Sequence, residues 1–426
     1  MSANPRDAAM TALYKIEKDG AYLNKAVLEA TDKCDARDKG FVNELVMGTV
    51  RNKIYIDFII QSYSKMKLKK LSPWVLAILR TAVYQLLYMD KVPVSAACNE
   101  AVKLASRYAH NAARGYVNGV LRSIARCEGD YPAPSGSEAE KMSVLYSCPL
   151  WLAEKLTAQF GAEAAAVILK DSLCPHPTTV RANVMKASAK ELAEILKKEG
   201  ILAEAKDEPC VEIQGAINIK MSDSYKNGFY TLQNINSMQA ALTLAPEKGE
   251  LVMDVCAAPG GKTTHIAELM GDEGRVVAFD VHQHKIELIE KSAERLGLSC
   301  IEARCNNSEE VCEEFVGKAD RVLADVPCSG IGVIHKKPDI KYNRKEEDVE
   351  ALCRVQKKIL ESAAKYVKSG GVLVYATCTI LREENEMQTE AFLKEHTDFE
   401  KESEKLFLAH ETGGSGFYIC RMRRFR

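Results

Sequence analysis

Three observations predict a multidomain chain: an all-α domain, a small α+β domain and an α/β Rossmann-like domain. Apolar residues recur three to four apart through residues 4–127, with no strand-like alternation between them. The stretch that follows, Glu128-Gly-Asp-Tyr-Pro-Ala-Pro-Ser-Gly-Ser, contains Pro, Gly and Ser and has no apolar period. From about residue 250, apolar runs of strand length alternate with helical patterns. That alternation marks a doubly wound sheet, which binds ligands at its carboxyl strand ends. The expected boundaries are 1–127 for the helical domain, 128–145 for a linker, 146–245 for the small domain and 246–426 for the Rossmann-like domain.

Helix faces in the first part are marked by Ala8-Ala9-Leu13-Ile16, Phe41-Leu45-Val46 and Val75-Leu76-Leu79-Val83-Leu86-Leu87. Asp38 and the pair Ser72-Pro73 stand where helices start, and about six or seven helices account for the segment. Residues 146–245 mix helical patterns (Trp151 to Phe160, Glu163 to Lys170, Ala189 to Lys198) with short strand-like pieces, Thr179-Val-Arg-Ala-Asn and Ala216-Ile-Asn-Ile-Lys. In the last part the candidate strands are Leu251–Cys256, Val276–Asp280, Ile301–Arg304, Val322–Asp325, Val372–Ala376 and Phe417–Cys420. Helices are expected over His265–Leu269, Gln283–Leu296, Lys345–Val367 and Glu383–Glu395.

Of the 426 residues, 46% are hydrophobic and 27% charged, which excludes disordered and fibrous chains. No run approaches the roughly 18 apolar residues of a membrane span. The opening Met1-Ser-Ala-Asn-Pro-Arg-Asp-Ala lacks the layout of a signal peptide, so a cytoplasmic protein without membrane contact is expected. Net charge is −1, yet residues 1–126 hold 20 Lys+Arg against 11 Asp+Glu, a net of +9, and the remainder carries −10. A basic first third suits a nucleic-acid-binding domain and equally a Lys-rich helical surface. The 14 cysteines include no C-x-x-C pair, so neither a disulfide framework nor a zinc site fits, and no metal is expected. No exposed apolar heptad stands out, and a monomer is expected.

The segment Leu251-Val-Met-Asp-Val-Cys-Ala-Ala-Pro-Gly-Gly-Lys-Thr-Thr-His265 reads as a buried strand, a tight small-residue loop and a helix start. Gly260 and Gly261 allow close backbone approach, and the helix N-terminus offers free N–H groups. A phosphate-binding P-loop needs a Gly where Cys256 stands, and the dinucleotide pattern fails because the glycines are adjacent. S-adenosylmethionine, with no phosphates, needs a loop for its methionine portion and an acid for its ribose. Asp280, ending the second strand, is placed as that acid.

Two cysteines end apolar strands on the same edge: Cys328 in Val322-Leu-Ala-Asp-Val-Pro-Cys-Ser-Gly330, and Cys378 in Val372-Leu-Val-Tyr-Ala-Thr-Cys-Thr379. A thiol beside a methyl donor suits methylation of an unactivated ring carbon. C5 of a pyrimidine is too weak a nucleophile until a thiolate adds at C6, and covalent catalysis divides the hard step. Asp325 is the candidate acid near the ring N3, a role that requires a proton on it or shared with it.

These motifs together, Asp-Val-Cys-Ala-Ala-Pro-Gly-Gly-Lys-Thr-Thr-His at 254–265, Asp-Val-Pro-Cys-Ser-Gly at 325–330 and Ala-Thr-Cys-Thr-Ile-Leu-Arg-Glu-Glu-Asn-Glu at 376–386, resemble the NOL1/NOP2/Sun family of RNA cytosine-C5 methyltransferases. Lys336-Lys-Pro-Asp-Ile-Lys and the strand from Gly416 agree. The resemblance implies Cys378 as nucleophile, Cys328 in product release, and Asp325 and Lys262 in the catalytic set. It implies a cofactor site for S-adenosylmethionine from Cys256, Ala257, Ala258, Pro259, Gly260, Gly261, Lys262, Asp280 and Asp325. Asn307 stands where the family usually has an Asp near the adenine, and Asn234 and Asn236 replace acids in a further family stretch.

Upstream, Arg37-Asp-Lys-Gly-Phe-Val-Asn-Glu-Leu, Leu76-Ala-Ile-Leu-Arg-Thr-Ala and Gly115-Tyr-Val-Asn-Gly-Val-Leu-Arg122 resemble the NusB-type helical RNA-binding domain. That architecture is the RsmB (Sun) branch of the family, which implies a small-subunit (16S) ribosomal RNA substrate. Lys65, Lys67, Lys69 and Lys70, and Arg107, Arg114, Arg122 and Arg126, are then candidate phosphate contacts. The target base must leave its stack to reach a thiol, so a looped or unstacked cytosine is expected. The same chemistry on transfer RNA, and a non-catalytic RNA-binding or ribosome-assembly factor, remain the alternatives.

Overall fold

The computed structural model describes residues 4–215 and 219–425. They form two compact units, one of the chain up to Cys174 together with Lys337–Asn343, the other of Pro175–Lys336 and Arg344 onward.

In the first unit the periodic faces become seven helices: Pro5–Asp19, Leu23–Asp32, Ala36–Arg51, Lys53–Tyr63, Pro73–Tyr88, Val94–Tyr108 and Asn111–Ala125. Local chemistry fixes their ends. Asn4 accepts from the Arg6 and Asp7 amides with Pro5 at the first helical position, and Ser72 accepts from Val75 N ahead of Pro73. Helix Pro73–Tyr88 is central, with Ile78, Leu79 and Val83 fully buried. It approaches helix Ala36–Arg51 so closely that a Cβ on Gly48 would lie 2.0 Å from the Tyr84 ring.

Two features differ from expectation. The 128–145 linker contains a helix, Glu138–Leu145, opened by a capping box between Ser137 and Glu140. Its apolar pattern is too short to register, although the Ser-x-x-Glu signal is present in the sequence. Helices Leu150–Phe160 and Ala162–Asp171 pack with this first unit, which runs to Cys174. The excursion Lys337–Asn343 also joins it. Lys341 is buried there and donates to Arg51 O at 3.1 Å, and the Tyr342 hydroxyl donates to Ser147 O at 3.0 Å.

The second unit holds two sheets. The smaller is antiparallel, built from β1 (Thr178–Ala182), β2 (Ala203–Ala205), β3 (Cys210–Ile213) and β4 (Tyr230–Leu232) in the order β2-β3-β1-β4. Helix Ala189–Lys198 packs on it through Leu192 and Leu196. Of the strand expected over 216–220, residues 216–218 lie outside the described residues, and Ile219–Met221 forms a single 3₁₀ turn.

The larger sheet has seven strands: β5 (Leu251–Asp254), β6 (Arg275–Asp280), β7 (Ile301–Cys305), β8 (Ala319–Asp325), β9 (Val367–Thr377), β10 (Phe399–Phe407) and β11 (Phe417–Arg424). Their order is β10-β11-β9-β8-β5-β6-β7, parallel from β9 to β7, with β11 and β10 antiparallel at one end. Val252, Val276, Val322 and Leu373 are fully buried, as strands covered on both faces require. Helices Gly261–Leu269, Gln283–Leu296 and Glu346–Tyr366 supply crossovers. The last predicted helix starts later, at Glu386, after a 3₁₀ turn over Arg382–Glu384. The order reverses at β5, between β6 and β8, the topological switch point where such sheets bind ligands.

Candidate active site

Because β5, β8 and β9 are adjacent and parallel, the chain leaves the sheet side by side after Asp254, Asp325 and Thr377. After β5 it turns tightly: Ala257 N donates to Phe279 O and Gly260 N to Ala257 O, both at 2.8 Å. Gly260 has φ +98°, and a Cβ there would sit 3.2 Å from Ile289 Cα, so the turn requires glycine. The helix beginning at Gly261 leaves its first N–H groups without helical partners. Beneath the loop, Asp254 accepts from Thr263 Oγ1 at 2.7 Å, and burial pushes its carboxyl up to about 7.

At the end of β6, Asp280 accepts from His282 N at 3.1 Å and pairs with Lys285 at 3.4 Å, both through Oδ1. Asp280 Oδ2 stays open among the described residues. Asn307, after β7, is exposed and bonded locally, accepting from Glu309 N and donating to Glu310 Oε1, each at 3.2 Å.

A cleft of about 430 Å³ brings together Cys256, Ala258, Asp280, Asn307, Asp325, Cys328 and Cys378, with Val326, Val355 and Ile359 as apolar walls. Ala257, Pro259, Gly260 and Gly261 form the turn behind it. Lys262 joins through an ion pair, its Nζ 2.5 Å from Asp325 Oδ2. Burial alone would push this ammonium down, but the Asp325 carboxylate overrides it and holds Lys262 above the ordinary lysine range. Asp325 is thus ion-paired rather than lone.

The sulfurs of Cys328 and Cys378 lie 2.9 Å apart, and Cys378 N donates to Cys328 Sγ at 3.3 Å. The hydrogen bond from Cys328 draws the Cys378 thiol below its ordinary value, against burial and with help from Lys262. The same bond, then burial and the charges of Cys378 and Glu384, push Cys328 well above it. The pair is therefore unequal: Cys378 is the more readily ionised of the two thiols. Beside them stands an ammonium–carboxylate pair, and together these groups can add to an electron-poor ring carbon and relay a proton.

Sequence reasoning missed two supports. Arg181 in β1 is fully buried. It bonds Glu268 twice, at 3.0 and 2.7 Å, Thr264 Oγ1 at 3.1 Å and the Gly261 carbonyl at 2.6 Å, and it also bonds Gln233. The small sheet thereby grips the helix that begins in the cofactor-type loop. A lone Arg within a short strand carries no signal of this. The second support is Glu384, quoted in a motif but given no role. Asn234 and Asn236 hold the turn before β11: Asn236 donates to Thr412 Oγ1 and Ser415 O at 2.7 Å, and Asn234 accepts from Ser415 N at 3.0 Å.

The basic candidates belong to the first unit. Lys65, Lys67, Lys69 and Lys70 are exposed around the 3₁₀ turn Leu68–Lys70, and Arg114, Arg122 and Arg126 are exposed as well. Arg107 is exposed but paired with Asp7 at 2.6 Å. Among the described residues, no group of three or more His, Cys, Asp or Glu is poised for a metal, and no helix is long and apolar enough to cross a membrane.

Comparison with known proteins agrees with this layout. A family model described as 16S rRNA methyltransferase RsmB/F matches residues 241–421, the NusB family matches 3–126, and an RsmF/B-like ferredoxin-like domain matches 148–220. The chain is 40% identical to a probable ribosomal RNA small subunit methyltransferase B of Bacillus subtilis, over 98% of each chain. It is 32% identical to ribosomal RNA small subunit methyltransferase B of Proteus mirabilis, again over 98% of each. Among solved structures, PH0851 superposes with a TM-score of 0.83 at 26% identity, covering 100% of both chains. NSun6 from Pyrococcus horikoshii, solved with SFG, shares the fold with a TM-score of 0.60 at 22% identity, over 64% of this chain and 97% of that one. The chain belongs to the RsmB/F family of 16S rRNA methyltransferases.

Proposed function

We propose that the protein methylates C5 of a cytosine in small-subunit ribosomal RNA, through a covalent adduct between Cys378 and C6 of the base. The observation that carries this reading is the pair of cysteine sulfurs, 2.9 Å apart, in one cleft with the Lys262–Asp325 ion pair.

The cleft suits S-adenosylmethionine. Asp280 would hold its ribose hydroxyls, Val326, Ile359 and Asn307 line the part of the cleft that would take its adenine, and the N–H groups at Gly261 and Lys262 would hold its methionine carboxylate. S-adenosylmethionine supplies the electrophilic methyl group. The Cys378 thiolate adds to C6 of a cytosine swung out of its stack, while Asp325, backed by the Lys262 proton, engages the N3 edge. C5 then takes the methyl group from the sulfonium, which leaves as a thioether; the C5 proton passes to water, and the C6–sulfur bond breaks with its electron pair returning to Cys378 as thiolate, Cys328 assisting release. The exposed lysines of the first unit hold phosphates of the RNA.

The test is methyl transfer from tritiated S-adenosylmethionine to unmodified small-subunit RNA, followed by nucleoside digestion. Label in 5-methylcytidine supports the reading. Label in another nucleoside, transfer to transfer RNA alone, or no transfer refutes it.

A further inference from the structure

Glu384 is fully buried, yet every donor to it among the described residues is uncharged. Ser329 N donates to Oε1 at 2.8 Å, Ser329 Oγ to Oε2 at 2.5 Å, and Gln356 Nε2 to Oε1 at 2.9 Å. A buried polar side chain is kept only where it is hydrogen-bonded, and both oxygens of this one are. The network it organises surrounds both cysteines. Gln356 Nε2 also holds Pro327 O at 2.9 Å, so the residues on either side of Cys328 are tied to one carboxylate. The Ser329 and Thr379 hydroxyls meet at 2.9 Å, joining the loop after β8 to the loop after β9. The neighbouring Asn385 accepts from Thr377 Oγ1 at 2.5 Å and donates to Thr379 O at 3.1 Å, which fixes both sides of Cys378.

We infer that Glu384 is a positioning residue for the two-cysteine reaction, locking the Cys328 loop against the Cys378 loop through Ser329 and Thr379. The lock sets the 2.9 Å separation of the two sulfurs, and with it how strongly each acts on the other. Glu384 also pushes both thiols up, and Lys262 counters this at Cys378.

This rests on the reading of Cys378 as nucleophile, and the experiment separates the two. Full-length wild type, Glu384→Gln and Ser329→Ala are alkylated with iodoacetamide from about pH 6 to 10, and Cys328 and Cys378 are quantified by peptide mass spectrometry. Wild type is expected to alkylate Cys378 roughly tenfold faster than Cys328 near neutral pH. Glu384→Gln should cut that ratio at least severalfold, move Cys328 alkylation to lower pH and lower kcat, with KM for S-adenosylmethionine nearly unchanged. Ser329→Ala should shift the ratio the same way by less, and it carries the test if Glu384→Gln does not fold. A wild-type preference for Cys378 that survives the substitutions overturns this inference alone. A wild-type preference for Cys328 overturns the nucleophile assignment, and this inference with it.

Discussion

Replacing Arg181 with Met removes a guanidinium that is fully buried, as is its partner Glu268. It strands the Glu268 carboxylate and the Gln233 oxygen, whereas Thr264 Oγ1 and the Gly261 carbonyl each keep a partner. Breaking one side of a buried ion pair costs about 3–5 kcal/mol, because the remaining charge is left without compensation. Burial already holds Glu268 above the ordinary glutamate range while Arg181 opposes it, so losing Arg181 raises it further. A carboxyl raised in the folded state binds more protons there than in the unfolded chain. The stability it allows is present at low pH and falls as pH rises through the folded value. Arg181→Met should therefore lose its full ~3–5 kcal/mol near pH 8 and less near pH 5. The double variant Arg181→Met, Glu268→Leu should regain most of the loss, since a well-packed apolar pair substitutes for a buried ion pair. Both tryptophans, Trp74 and Trp151, lie in the first unit, so their fluorescence does not report this one. The assay is urea unfolding read by alkylation of the buried Cys210 and Cys420, which belong to the second unit. A loss below about 1 kcal/mol, or a double variant as unstable as the single, would refute the reasoning.

Other consequences follow from the first unit. Burial lowers Lys341 from 10.5 to about 8, so the unfolded chain binds the extra proton between those values and stability rises with pH through that window. At about 1.36 kcal/mol for each pH unit of that window, Lys341→Met should abolish the slope and stabilise the unit near pH 7 by about 1–3 kcal/mol after loss of the Arg51 bond. Tryptophan fluorescence during unfolding reads it, because Trp74 stacks on Tyr14 and Tyr108. A pH slope unchanged by the substitution would contradict the assignment. Gly48→Ala should cost the same unit about 2 kcal/mol or more, since the added carbon meets the Tyr84 ring; an unchanged thermal midpoint would count against that packing. Neutralising Lys65, Lys67, Lys69 and Lys70 to Gln should weaken RNA binding and flatten the dependence of log K on log salt by roughly 0.7–0.9 for each phosphate no longer neutralised. A filter-binding slope that does not move would place the phosphates elsewhere.

What is legible in the sequence follows from which forces leave a local trace. Strands such as Val322–Asp325 and Val372–Ala376 read as apolar runs because helices cover both faces of a parallel sheet. Helix Gln283–Leu296 is legible to the residue, since one face alone is buried and Gly297 in the left-handed region stops it. β10 is not legible. Its Glu400-Lys-Glu-Ser-Glu-Lys is exposed on the sheet edge, where charge protects an unpaired edge and erases the apolar signal. Cys328, Cys378 and the Gly260 turn are legible because each lies in a short motif directly after an apolar strand. The grip of Arg181 on Gly261 and the buried Glu384 network join positions 80 and 55 residues apart and have no local pattern. The family resemblance names the Glu384 motif without revealing what it holds.

The central claim is the division of labour between the two thiols. It is tested most directly by incubating wild type, Cys378→Ala and Cys328→Ala with S-adenosylmethionine and unmodified small-subunit RNA, then counting protein–RNA complexes that survive denaturant. The account predicts that Cys328→Ala accumulates the complex, because release is blocked, and that Cys378→Ala forms none. Accumulation in Cys378→Ala and none in Cys328→Ala would contradict it and make Cys328 the attacking thiol.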